Sequence, residues 1–111
     1  MNIDHSEIIR TTLSRALPYI TWTTLREAVA DFLVTGAWKD PCEPRFPGKW
    51  LDFSHERFED NVRLAIHNYF SLSAILANPA YSSRPPEQAY EVFWSSCQTI
   101  ERMIHELGKR H

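Results

Sequence analysis

At 111 residues, the chain is close to the commonest size of one folding unit and too short to divide into two stable cores. Its 43% hydrophobic content, with six Phe, four Trp and four Tyr, can fill an interior without disulfide or metal staples. Twelve Lys and Arg against fourteen Asp and Glu leave a net charge of -2, spread evenly along the chain; with no basic stripe to displace counterions from phosphates, stable nucleic-acid binding is disfavoured.

The opening MNIDHSEIIRTTLSRALPYI is punctuated by charge, and no window reaches the roughly 18 apolar residues of a membrane span. A cytosolic protein that does not enter a membrane is the expectation. Cys42 and Cys97 lie in different settings, a Pro-rich loop and a helical pattern. One disulfide is geometrically open to them, but reduced thiols fit that compartment.

In chain order, residues 4–17 place Ile9, Leu13, Ala16 and Leu17 on one stripe opposite Glu7, Arg10 and Ser14, the period of an amphipathic helix. Pro18 disfavours its continuation. T24-L-R-E27 reads as a capping box opening a second helix over 24–35, with Leu25, Ala28, Val29 and Phe32 buried and Gly36 as a left-handed stop. Residues 36–53, GAWKDPCEPRFPGKWLDF, carry neither helical nor alternating period. Pro41, Pro44 and Pro47 recur at polyproline II spacing, interleaved with Trp38, Phe46, Trp50 and Phe53, so an ordered, aromatic-rich loop is expected.

Ser54 caps a predicted long central helix over 54–78, in which Phe58, Val62, Ala65, Tyr69, Leu72 and Leu76 face the core and Ile66, Phe70 and Ile75 widen the stripe. A fourth helix, 86–107, starts on Pro86 and buries Ala89, Phe93, Cys97, Ile100, Ile104 and Leu107 before Gly108 ends it. With no strand alternation and no repeat, the prediction is all-α: a single-domain bundle of about four helices.

The stretch RLAIHNYF, residues 63–70, puts Arg63 and His67 one turn apart. On the third helix, Glu56, Asp60, Arg63, His67 and Ser71 fall on one polar stripe, with Asp60 and Arg63 spaced as an ion pair. A guanidinium beside an imidazole can also hold a phosphate and move a proton. With Tyr69, the stretch resembles the R-x(4 to 6)-H motif of HEPN-type helical ribonucleases, small bundles that usually act as dimers. The resemblance implies Arg63, His67 and Tyr69 as catalytic residues. Its departure is the spacing: three residues, Leu64, Ala65 and Ile66, separate Arg63 from His67.

Other chemistries lack their parts. H55-E-R-F-E59 has Glu59 where a zinc protease helix needs a second histidine. E101-R-M-I-H105 has the wrong separation for a di-iron carboxylate helix and reads as an exposed ion pair. Cys97 lies on an apolar stripe, and Cys42, between Asp40 and Glu43, has no cation to depress its pKa. Three glycines cannot build a phosphate cradle. No metal and no cofactor are expected.

What remains is a surface. Trp38 and Trp50 in the long loop, and Tyr90 and Trp94 on one flank of the fourth helix, are the residue types that anchor protein interfaces. Asp52, Glu56, Glu59 and Asp60 gather at the start of the third helix, and Glu87, Glu91, Glu101 and Glu106 run along the fourth. Acidic groups beside aromatics suit a basic protein partner. The expectation is a non-catalytic protein-binding protein, monomer or homodimer, of the inhibitor or immunity type that covers a basic toxin such as a nuclease. The alternatives are a HEPN-like ribonuclease, or an adaptor or assembly subunit using the Pro41, Pro44, Pro47 ridge.

Overall fold

The computed structural model describes residues 4–41, 53–81 and 83–109, apart from the side chains of 53–55 and 81. Among the described residues there are four α-helices and no strand: α1 (His5–Ala16), α2 (Thr23–Thr35), α3 (Phe53–Ala77) and α4 (Pro86–Lys109). No helix among them is long and apolar enough to cross a membrane.

Local chemistry sets most of the boundaries. Asp4 caps α1 by accepting from the Ser6 N–H at 2.9 Å, and a single 3-10 turn, Leu17–Tyr19, forms around Pro18. α2 ends on Gly36 at φ 77, whose N–H donates to the Phe32 carbonyl at 2.8 Å, a backbone position that a side chain would strain. α3 begins at Phe53, so Ser54 lies inside the helix rather than capping it, and two further boundaries differ from expectation. α4 runs through Gly108 to Lys109; that glycine has no positive φ, so it continues the helix rather than stopping it, and a Cβ on it would make ordinary contact with the Tyr19 hydroxyl at 3.5 Å.

The second difference is at α2. The helix begins at Thr23 with Trp22 in the capping position, so the Thr24–Glu27 box lies inside its first turn. The acceptor comes instead from α3. Glu59, 1% exposed, takes the Thr21 N–H at 2.7 Å, the Trp22 N–H at 2.9 Å and the Thr21 hydroxyl at 3.1 Å, all on Oε2. A carboxylate on a neighbouring helix thus does what the glutamate of a capping box does within one.

Contacts along the helices give their directions. His5 meets Ser73 and Tyr69 on α3, while Phe93, Arg15 and Tyr19 tie progressively later parts of the amino-terminal segment to later parts of α4. α1 is therefore antiparallel to α3 and parallel to α4. Thr21 and Trp22 lie at Glu59 and Phe32 lies against Tyr69 and Phe70, so α2 runs parallel to α3. Parallel neighbours cannot be joined by a tight turn. The chain must return along α3 before that helix begins, and Asp40, held by Arg63, is already partway back. A crossover rather than a hairpin between α2 and α3 is what this topology demands.

One hydrophobic cluster draws on all four helices, from Ile9 and Leu13 through Leu25, Val29 and Phe32 to Phe58, Val62, Ile66, Phe93 and Ile100. The predicted α4 stripe is buried at every position. On α3 the stripe is narrower than expected: Phe70 and Leu76 are exposed and Tyr69 is half-buried.

Removing the Glu59 carboxylate leaves the start of α2 without its acceptor. Glu59→Ala is expected to lower unfolding free energy by about 2–3 kcal/mol in urea titration, and Glu59→Gln, which keeps a carbonyl acceptor, by less.

Candidate functional site

The residues singled out in the sequence separate in space. Arg63, half-buried, grips Asp40 through two bonds, Nε to Oδ1 at 3.1 Å and Nη2 to Oδ2 at 2.9 Å. It also donates to the Pro41 carbonyl at 3.4 Å and lies 5.7 Å from the centre of the Trp22 ring. The expected Asp60–Arg63 pair is replaced by this longer-range one, since a forked guanidinium matches a carboxylate approaching end-on better than one a turn away on its own helix. His67 is exposed and belongs to a different feature, an open groove of about 510 Å³ shared with Phe70, Ser71, Ala74, Ile75, Ser83 and Arg84. Tyr69 turns inward among His5, Phe32 and Phe93.

The expected acidic and aromatic surface is redistributed as well. Glu59 is buried and committed to the start of α2, so it is unavailable to a partner; its burial follows from the chain entering α2 over that turn of α3. Glu56 is half-buried and Asp60 exposed. Trp38 packs edge-on to Phe32 with ring centres 6.4 Å apart, lidding the core. Pro41 is buried, whereas Cys42, Pro44, Phe46, Pro47, Gly48, Trp50 and Asp52 lie outside the described residues, as does the side chain of His55. Tyr90 is half-buried against Phe93. Trp94, 40% exposed, remains on the surface.

Trp94 forms one wall of a groove of about 470 Å³ between α1 and α4, lined by Glu7, Ile8, Thr11, Thr12 and Arg15 on one side and by Cys97, Gln98 and Glu101 on the other. The groove exists because α1 and α4 present small residues, Thr12 and Cys97, where they meet, while Trp94 stands at the edge of the α4 stripe. Arg15 and Glu101 close its far end with an ion pair at 3.0 Å. Glu101 thus pairs across helices, not with His105 one turn on. Glu87 and Glu91, both exposed, precede Trp94 on α4. Carboxylates therefore outnumber the groove's cation, which is itself engaged.

Cys97 lines the floor of this groove and is a free, buried thiol. Burial pushes its pKa up to about 11; a side-chain hydrogen bond with Thr12 opposes this and the negative charge of Glu101 adds to it. A thiol held neutral at physiological pH is a packing group, as its place on an apolar stripe predicts.

One constellation escapes sequence reading. His5 Nε2 shares a hydrogen bond with Ser73 Oγ at 3.0 Å, and its Nδ1 is 3.8 Å from Asp4 Oδ1. The residue types are those of a hydrolytic triad, but 3.8 Å is beyond a hydrogen bond and Asp4 is engaged as a helix cap. Ser73 also sits in mid-helix, where neighbouring N–H groups are used within α3 and cannot stabilise an oxyanion. The contact is a tether from the start of α1 to α3. Only knowledge of the antiparallel pairing could have found it.

Among the described residues, no three His, Cys, Asp or Glu side chains converge into a group able to hold a metal ion. Comparison with protein-family models, curated proteins and solved structures finds no match to this chain.

Two measurements check this geometry. In a double-mutant cycle, Arg63→Ala and Asp40→Ala are expected to couple by about 1 kcal/mol, the range of a well-formed forked pair at a half-buried site. Because the Cys97 pKa is raised from 9.0 to about 11, its contribution to stability is complete below pH 9 and lost as pH climbs through about 11. Between those values the wild type is expected to lose stability faster than Cys97→Ala.

Proposed function

We propose that this chain is a non-catalytic protein-binding protein, that its contact surface is the α1/α4 groove around Trp94, and that its partner is a basic protein. The reading that fits best is neutralisation, in which an inhibitor or immunity-type protein covers the basic active site of a toxin such as a nuclease. The observation that carries the proposal is the setting of Trp94. Trp22 and Trp38 are packed against the core, but Trp94 keeps its ring in a groove lined by Glu7 and Glu101, with the exposed Glu87 and Glu91 earlier on the same helix. An indole offers a large, rigid contact area at little entropic cost, and carboxylates around it steer and orient a cationic partner.

The commitments of other groups support the non-catalytic side. The phosphate-holding role that the ribonuclease alternative assigns to Arg63 competes with a forked bond to Asp40, and His67 opens into a separate groove. Arg63 and His5, whose chemistry could serve a reaction, are employed in holding segments of the chain together.

A photo-crosslinking amino acid at Gln98, inside the groove, is expected to capture a basic protein in cells that produce this chain. With that protein purified, Trp94→Ala should weaken binding about thirtyfold, the loss of a central aromatic anchor. Val34→Ser, at a site 84% exposed on α2, should leave it unchanged. An affinity indifferent to Trp94, or RNA cleavage by the purified chain that His67→Ala abolishes, would overturn the proposal.

A further inference from the structure

Three of the four helices are fastened to one another without the fourth. His5 Nε2 and Ser73 Oγ share a hydrogen bond at 3.0 Å between α1 and α3, Asn68 donates to Ser96 at 2.7 Å between α3 and α4, and Arg15 pairs with Glu101 at 3.0 Å between α1 and α4. α2 takes part in none of these contacts, and it is the most sparsely packed of the four helices. We infer that α2 is a strap: it opens as one unit, hinged at its two ends, while α1, α3 and α4 keep their native packing.

Among the described residues, the polar contacts that fasten α2 lie at its ends. Before it, the Thr21 and Trp22 N–H groups donate to Glu59 at 2.7 and 2.9 Å. In its last turns the exposed Arg10 donates to the Leu33 carbonyl at 3.0 Å, and beyond it Arg63 grips Asp40. The span between rests on burial of Leu25, Val29 and Phe32, three residues against the seven that α4 buries. The free energy that seats a helix grows with the apolar area it covers, so the helix that buries least detaches at less cost than the whole molecule unfolds. Both ends are breaks in the helical path: Ile20 is extended at φ -79 and ψ 119, and Gly36 is left-handed at φ 77. Neither α1 nor the chain after Gly36 continues α2 as a rigid rod.

Opening takes the Phe32 ring away from Tyr69 and Phe70, whose centres lie 6.0 and 5.9 Å from it, and carries Trp38 off with it. The Tyr69 ring stays seated against His5 and Phe93. The three-helix body thus keeps its own aromatic joint, while the strap decides whether the Tyr69 and Phe70 side of α3 is covered.

The test is native-state amide hydrogen exchange of the full chain, read by NMR under conditions in which reclosing outpaces exchange. A substitution then speeds an amide only if the contact it removes is lost in the opening that exposes that amide. The amides of Ala28 to Phe32 in α2 are expected to exchange about tenfold or more faster than those of Cys97 to Ile100 in α4. Asn68→Ala breaks a contact inside the three-helix body, so it is expected to speed the α4 amides about tenfold and to leave the α2 amides unchanged. Asp40→Asn weakens a contact that strap opening and global unfolding both lose, so it is expected to speed both sets alike, by about threefold. If the α2 amides exchange no faster than those of α4, or if Asn68→Ala speeds both sets equally, α2 leaves only with the whole molecule and the strap is refuted. A response to Asp40→Asn confined to α4 would overturn the hinge beyond Gly36. Ser96→Ala removes the other half of the Asn68 contact and serves in its place if Asn68→Ala does not fold.

Discussion

The placement of α2 depends on a pair of ionic side chains one turn apart on α3. Glu59 reaches back to receive the backbone where the chain enters α2, and Arg63 holds Asp40 just after the chain has left it. Between them, the helix lays Leu25, Val29 and Phe32 on the core. Apolar contact alone specifies a face and leaves freedom to slide along it; hydrogen bonds at both ends set where on that face the helix rests. A buried carboxylate is costly to desolvate, and three hydrogen bonds on one oxygen offset much of that cost. The register of α2 against α3 is the return.

That constraint spreads. With α2 fixed parallel to α3, Phe32 meets Tyr69 and Phe70, and Tyr69 in turn meets His5 and Phe93. A single aromatic ring on α3 thereby touches α1, α2 and α4. Between α3 and α4 the alignment is set by a polar contact: Asn68 donates to Ser96 at 2.7 Å, and Ser96 donates to the Val92 carbonyl at 3.0 Å. Most of the groups that looked capable of chemistry are thus the ones that join helices. What they leave on the surface is the groove beside Trp94, whose carboxylates have no comparable structural duty apart from Glu101.

Helical periodicity made the architecture legible. The stripes of α1 and α4 were readable because a helix buried on one side repeats its apolar residues at a spacing no other element shares, and Gly36 marked the end of α2 for a backbone reason that is purely local. Long-range partners were not readable. Glu59 looks like any acidic residue near a helix start, and nothing in its neighbours announces that Thr21 and Trp22 lie opposite it. Gly108 matched the pattern of a helix stop, but its backbone has no positive φ and the helix continues through it. Trp94 and Tyr90 were recognisable as a flank beside the core stripe; that α1 would stand off from Trp94 to leave a groove was not, because it depends on Thr12 meeting Cys97.

The parallel course of α2 and α3 carries a consequence for the connection between them. From Arg63, where Asp40 is held, to the first turn of α3 is about 15 Å of helix, which about five extended residues can cover. The interval 42–52 is about twice that length. A chain with this arrangement of helices therefore cannot join α2 to α3 by a two-residue turn, whatever residues make the connection.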